Sequence, residues 1–182
     1  MSMSILVDEV SCARQLNARN ARVIDSSGAR GRGVFAALDL LPGEIVVKGV
    51  VARMERSRTT NSIQLDWNVH ALFEEPVVIL NHSCDPNLAI VPNHLGAYDF
   101  IAVRQIASGD EVCFDYATTE SECIGVSVCL CSAANCRGSA AGFDKLPRDH
   151  PLVVSGFHAP YLSLQKSLAI SKRIGILQFG GF

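Results

Sequence analysis

Three clusters of reactive side chains stand out in this chain of 182 residues. Leu80-Asn81-His82-Ser83-Cys84-Asp85-Pro86-Asn87 sets a carboxamide, an imidazole and a thiol within four residues. These groups hold ligands by hydrogen bonds or bind metals, and Pro86 then ends any strand ladder. Gly109-Asp110-Glu111-Val112-Cys113-Phe114-Asp115-Tyr116 ends on a phenol. Cys129-Leu130-Cys131, four residues and then Cys136-Arg137-Gly138 crowd three thiols into one loop. A closed structural zinc site wants four thiolate or imidazole ligands, so a fourth must come from elsewhere. The candidates are Cys84, Cys113, Cys123 and His82. Cys84 is favoured because it lies in a loop ahead of Pro86, whereas Cys113 alternates within a strand pattern as a core residue would.

The elements that would position these groups are mostly extended. The apolar run Val77-Val78-Ile79-Leu80 predicts a buried strand emptying into the Asn-His-Ser loop, where a rigid scaffold holds its binding groups. Upstream, 21–25 and 34–37 are strand candidates around Ser26-Ser27-Gly28-Ala29-Arg30-Gly31-Arg32-Gly33, whose glycines allow close approach of backbone to a ligand. A dinucleotide fingerprint is excluded there. Leu41-Pro42-Gly43 follows too soon for a crossover helix before the next strand at 44–51, and a plain hairpin stays open. Residues 62–70 alternate Ile63, Leu65, Trp67 and Val69 around an Asp66-Trp67-Asn68 turn, which is hairpin patterning with Trp67 as lid or core. Further short strands are predicted at 88–91, 98–103 and 111–116. Residues 1–20 show little periodicity and read as a flanking arm. The one convincing helix runs over 160–173, with proline at its start, Tyr161, Leu164 and Leu168 on one face, Lys172-Arg173 in its last turn and Gly175 as its stop.

Composition narrows the partners. A net charge of −2 with no dense run of Arg or Lys argues against direct nucleic-acid binding. No apolar run approaches the ~18 residues of a membrane helix, and the first residues lack a secretory pattern, so the reading is a soluble intracellular protein without a membrane partner. Seven cysteines, three of them crowded, fit metal thiolates in a reducing compartment better than a secreted disulfide framework.

Taken in order, Gly31-Arg32-Gly33-Val34-Phe35-Ala36, then Asn81 to Asn87, then Gly109 to Tyr116, then Cys129-x-Cys131-x4-Cys136-Arg137-Gly138 resemble the motifs of SET-domain lysine methyltransferases with a post-SET zinc segment. The resemblance covers about residues 21–143. Gly142-Phe143-Asp144-Lys145-Leu146-Pro147 and Pro160-Tyr161-Leu162 are similar to the tails of small stand-alone members. It implies a mostly β SET fold of small sheets with a threaded C-terminal segment (a pseudoknot), a post-SET zinc loop and a C-terminal helix. The implied division is 1–20 as arm, 21–118 as SET domain, 119–143 as zinc segment and 144–182 as tail with helix.

The resemblance also implies roles. Gly31, Arg32 and Gly33 would lie along S-adenosylmethionine through backbone groups. Asn81 and His82 would hold its amino-acid end and adenine. Tyr116 would stand where the donor methyl meets the substrate amine, with Phe114 at the position that sets how many methyl groups are added. Cys84, Cys129, Cys131 and Cys136 would bind structural Zn2+. The implied substrate is a lysine amine of a protein or peptide; a small-molecule amine, or a binding protein without turnover, are the alternatives. Two departures stand out: Val78-Ile79-Leu80 replaces the usual Arg-Phe-Ile, and Val47-Lys48-Gly49 replaces a Tyr-x-Gly segment. The second removes a hydroxyl and brings a cation that disfavours a basic peptide unless it points away.

Overall fold

The computed structural model describes residues 3–25 and 28–163. A helix, α1 (Met3–Asn20), leads into a hairpin of β1 (Ala21–Asp25) and β2 (Arg32–Ala36), paired from Ala21↔Ala36 to Asp25↔Arg32. A three-stranded sheet follows from β4 (Val51–Glu55), β5 (Ile63–Asp66) and β6 (Val69–Phe73), in the order β4-β6-β5. The largest sheet has five strands in the order β3-β9-β8-β10-β7. Its members are β3 (Ile45–Lys48), β7 (Asn81–His82), β8 (Leu88–Pro92), β9 (Tyr98–Ala102) and β10 (Cys113–Phe114).

β10 fixes the topology. It pairs in parallel with β7 (Cys113↔Asn81, Phe114↔His82) and with β8 (Phe114↔Leu88). Residues 83–87 join β7 to β8 directly, so the late strand is threaded between two strands made far earlier. Main-chain polar groups inside a protein must be paired, and here Asn87 does the pairing. Its Nδ2 donates to the Glu111 carbonyl (2.8 Å) and its Oδ1 accepts from Cys113 N (2.8 Å). Ser83 N donates to Phe114 O at 3.1 Å. The core under this junction is Val34, Val46, Val47, Leu88, Phe100, Val112 and Phe114, with Phe100 edge-on to Phe114 at 5.0 Å between centroids.

Several expected elements differ. Residues 1–20 are no loose arm: α1 buries Ala13, Asn17 and Asn20. Asn17 exchanges hydrogen bonds with Lys48 N and O (2.7 and 2.9 Å), and Asn20 Nδ2 donates to Ile45 O. A buried face carried by asparagine leaves no apolar period to read. The 44–51 strand divides at Gly49, where a Cβ would stand 2.4 Å from Tyr98 O, and its two halves join different sheets. Val77–Ile79 is a 3-10 turn rather than a strand, an ambiguity inherent in a four-residue apolar run. Only Cys113–Phe114 of 111–116 is strand, because Asp115 accepts a bond from Ala117 N and caps a 3-10 turn at Tyr116–Thr118. The hairpin turn at 66–68 and the strand over Leu88–Pro92 form as expected, and Trp67 is a half-exposed lid packed edge-on against Tyr161. A short helix, α2 (Pro151–Val154), precedes the expected C-terminal one, which opens at 160–163; residues 164–173 of that expectation lie outside the described residues.

Candidate active site and thiol centre

Tyr116 is placed by the threading. It follows β10 by one residue, and its hydroxyl donates to the Leu80 carbonyl at 2.6 Å, directly ahead of Asn81. Burial pushes its phenol well above the ordinary range, so it remains a protonated donor. Phe114 packs against it at 4.8 Å between centroids. His82 Nδ1 accepts from Tyr116 N at 3.3 Å, which puts the ring proton on Nε2, facing Cys84 Sγ at 3.3 Å. Burial lowers the His82 pKa to about 4, so the ring stays neutral. Both of its nitrogens therefore serve the framework, linking Tyr116 to the thiols.

The glycine loop forms the facing wall. Asn81 Nδ2 donates to Arg32 O (3.0 Å) and to Glu111 Oε1 (2.8 Å), while Glu111 Oε2 holds Arg30 at 2.6 Å. A Cβ on Gly33 would stand 2.8 Å from Glu111 Oε1, so a larger residue there would displace that carboxylate from Asn81. Arg32 pairs its guanidinium with Glu75 and Asp25, while its carbonyl accepts from Asn81.

A cleft of about 420 Å³ runs past Arg30, Arg32, Asn81, His82, Tyr116 and Cys129. Tyr116 also lines a narrow cavity of about 50 Å³, walled by Ile63, Val77, Phe114, Glu120 and Cys123 among others. The two share Thr60, Asn61, Val78, Leu80, Tyr116 and Gly125. A further cleft includes Gly28, Gly31 and Gly33, next to Glu111. The arrangement can hold an elongated ligand and a thin chain in adjoining spaces that share Tyr116.

The sulfur atoms of Cys84, Cys129, Cys131 and Cys136 lie within 4.8 Å of one another. Four thiolates at ~2.3 Å from a tetrahedral ion stand about 3.8 Å apart, and Cys84 Sγ to Cys129 Sγ is 3.9 Å. The set fits a metal ion. Main-chain N–H groups of Arg137 and Gly138 donate to Cys84 and Cys136 sulfur, each at 3.4 Å. Cys113 is buried in the core and outside the set, and Cys123 borders the narrow cavity. Next to the thiols, Arg137 Nη2 reaches both oxygens of Asp115 at 2.8 Å; Asp115 is fully buried. That pair fastens the sulfur loop to the residue ahead of Tyr116.

Of the residues singled out from sequence, Arg32, Asn81, His82 and Tyr116 line the main cleft, and Gly31 and Gly33 the adjoining one. Val47 instead lies in the core, and Lys48 Nζ pairs with Asp99 at 2.7 Å, which neutralises the cation that would have opposed a basic peptide. Sequence reasoning missed Arg30, Asn61, Glu111, Asp115, Glu120 and Arg137. Arg30 sits beside a recognised motif and Glu111, Asp115 and Arg137 inside recognised ones, but their pairing has no local signature; Asn61 and Glu120 carried no signal.

The SET domain model matches residues 31–117 of the chain. A Caenorhabditis elegans protein described as a probable histone-lysine N-methyltransferase, set-23, is 40% identical over 62 residues, covering 32% of this chain and 25% of that protein. The Drosophila melanogaster histone-lysine N-methyltransferase Set2 is 32% identical over 133 residues, covering 62% of this chain and 6% of its own length. The chain thus spans a quarter or less of either relative. Among solved structures, KRYPTONITE in complex with mCHG DNA and SAH shares the fold, with TM-score 0.53 and 20% identity over 66% of this chain and 29% of that one. No described helix is long and apolar enough to cross a membrane.

Proposed function

We propose that the protein is an S-adenosylmethionine-dependent methyltransferase acting on lysine amines of a protein or peptide, with Zn2+ held by Cys84, Cys129, Cys131 and Cys136. The observation that carries this reading is the meeting of a wide cleft and a narrow cavity at Tyr116. The SAH in the KRYPTONITE complex and the lysine-methylating relatives support the cofactor and the substrate class. The working unit on this reading is 21–118, closed by the zinc segment 119–143 and covered by 144–182.

S-adenosylmethionine supplies an electrophilic methyl on a sulfonium. Gly31, Arg32, Gly33, Asn81 and His82 line the clefts on the donor side, where Glu111 and Arg30 hold Asn81 and the glycine loop in place. Tyr116 stands at the junction with its hydroxyl proton committed to Leu80, leaving oxygen lone pairs to orient an amine. Methyl transfer needs nucleophile, carbon and leaving group in line, so orientation is the protein's main contribution. An amine attacks only in its neutral form; the apolar walls Val77, Ile63 and Phe114 work against the ammonium form, whereas Glu120 in the same lining works for it. Phe114 brings no hydroxyl to that wall, in keeping with more than one methyl addition.

The test is a thermal-shift titration with S-adenosylmethionine and SAH, followed by mass spectrometry of a lysine-peptide library. A cofactor that binds the native state raises apparent stability by mass action. Stabilisation together with +14 Da products on lysine is expected. Stabilisation without any methylated peptide would overturn the peptide-substrate reading.

A further inference from the structure

Glu120 is a carboxylate in an unusual place. It is 5% exposed, lies one turn beyond Tyr116 with its N–H bonded to Tyr116 O, and forms part of the wall of the narrow cavity together with Tyr116 and Phe114. Its two oxygens are used unequally. Oε1 accepts from Gln64 N at 2.8 Å and from Thr119 Oγ1 at 3.3 Å, which ties the segment after Tyr116 to β5. Oε2 receives no hydrogen bond from any described residue, and the nearest cation, Arg58 Nε, is 3.8 Å away, beyond hydrogen-bond reach. Arg58 is also shared, with Nη1 on Glu122 (3.0 Å) and Nη2 on Gln64 Oε1 (3.1 Å) and Ser121 Oγ (3.0 Å).

Anchoring β5 needs one acceptor oxygen, which a glutamine would supply without charge. The second oxygen adds a negative charge on a mostly buried side chain, met by Arg58 as an ion pair at 3.8 Å but by no hydrogen bond from a described residue. The cavity it borders admits a thin chain rather than a bulky head group. An alkylammonium end has three N–H donors and a unit positive charge, and so offers the hydrogen bond that Oε2 lacks and a countercharge nearer than Arg58 at 3.8 Å.

Resting on the amine-methylation reading above, we propose that Glu120 is a specificity-determining residue that selects the substrate by charge at entry, its Oε2 accepting a hydrogen bond from an alkylamine that arrives in the narrow cavity protonated and must give up that proton before methyl transfer. An uncharged chain of the same length gains neither the hydrogen bond to an anion nor the Coulomb attraction.

The proposal predicts a pH dependence. Burial raises the Glu120 pKa to about 7, opposed by the bonds from Gln64 and Thr119 and by Arg58. The other groups close to it are Arg58, which stays charged, and Tyr98, Tyr161 and Cys123, which burial pushes up and keeps neutral. His70, across the hairpin from Gln64, is lowered by burial and by Arg58. A raised carboxyl is anionic above its pKa, so amine binding is full at alkaline pH and fades as pH falls through about 7.

The experiment is calorimetric titration of the full chain with n-butylammonium chloride and, separately, 1-butanol, in wild type and Glu120→Gln. At about pH 8.5 the amine is cationic, since alkylammonium pKa values lie near 10.4. Expected is at least a tenfold loss of n-butylammonium affinity in Glu120→Gln, about 1.4 kcal/mol, with 1-butanol unaffected. Equal n-butylammonium affinity in the two proteins overturns the proposal. The wild type alone gives a second measurement should the variant fail to fold: n-butylammonium affinity that does not change from about pH 8.5 to about pH 5.5 also overturns it. Titration with SAH separates the two readings. If SAH does not bind the wild type while n-butylammonium binding still depends on Glu120, methyl transfer fails and charge selection stands.

Discussion

The wall of the site that β7, β8 and β10 build and the wall that residues 119–143 build are held by different forces. In the first, parallel ladders and the Asn87 amide fix the backbone, and a buried core of Leu88, Phe100, Val112 and Phe114 backs it. In the second, no residue is in a strand; four thiols, the Arg137–Asp115 pair and loop bonds such as Cys129 N to Gly138 O fix it. Tyr116 belongs to both, since the ladder delivers it and Asp115, its neighbour, receives the sulfur loop's arginine. The contrast teaches that the geometry of the main cleft is built into the sheet, whereas closure over Tyr116 is conditional on side-chain chemistry that can be removed piece by piece.

The largest expected effect comes from the thiols. Structural zinc contributes on the order of 10 kcal/mol of apparent binding free energy to small metal-dependent folds. Cys131→Ser, or a chelator, is expected to take zinc from one per chain to none by metal analysis. It should also speed amide exchange across 119–143 while 88–92 and 113–114 stay protected. Exchange rising equally in both regions would mean that the two walls are one cooperative unit.

Arg137→Ala comes next. It strands the Asp115 carboxylate in a fully buried site, and breaking a buried pair costs about 3–5 kcal/mol. A fall of that size in unfolding free energy by urea titration, with zinc retained, would show that the ion pair joins the walls separately from the metal. The smallest expected effect on stability is from Tyr116→Phe. It removes one hydrogen bond to Leu80 O, worth about 1 kcal/mol, yet misplacement at a reacting centre can cost on the order of 100-fold in rate. SAH affinity unchanged with kcat reduced about 100-fold would place the phenol's role in orientation; an unchanged kcat would remove it from the chemistry.

The same contrast explains what could be read from the sequence. The thiol set, with Cys84 as its distant fourth member, was legible because crowded cysteines must be satisfied locally and a loop position before Pro86 distinguishes Cys84 from the strand residue Cys113. The short strands at 21–25 and 88–91 were legible from period-two patterning. The threading itself came only through resemblance, since nothing in the composition of Cys113-Phe114 says that its neighbours are Asn81 and Leu88. Asp115–Arg137 and Glu111–Asn81 were illegible because their partners stand 22 and 30 residues apart and each residue, taken singly, reads as an ordinary surface charge or amide. The opening helix escaped notice for a related reason: its buried face is carried by asparagines that bond to β3 rather than by apolar side chains.

The slot between β7 and β8 has a consequence for biosynthesis. Residues 81–92 leave the ribosome about twenty positions ahead of the strand that fills the gap between them, at a few residues per second. For that interval two strand edges stand unsatisfied beside freshly exposed apolar surface, the condition under which nascent chains pair with the wrong neighbour. Ser83 to Asn87 must bridge the opening before its occupant arrives, so the short loop that carries Cys84 is also the part of the chain on which orderly assembly waits.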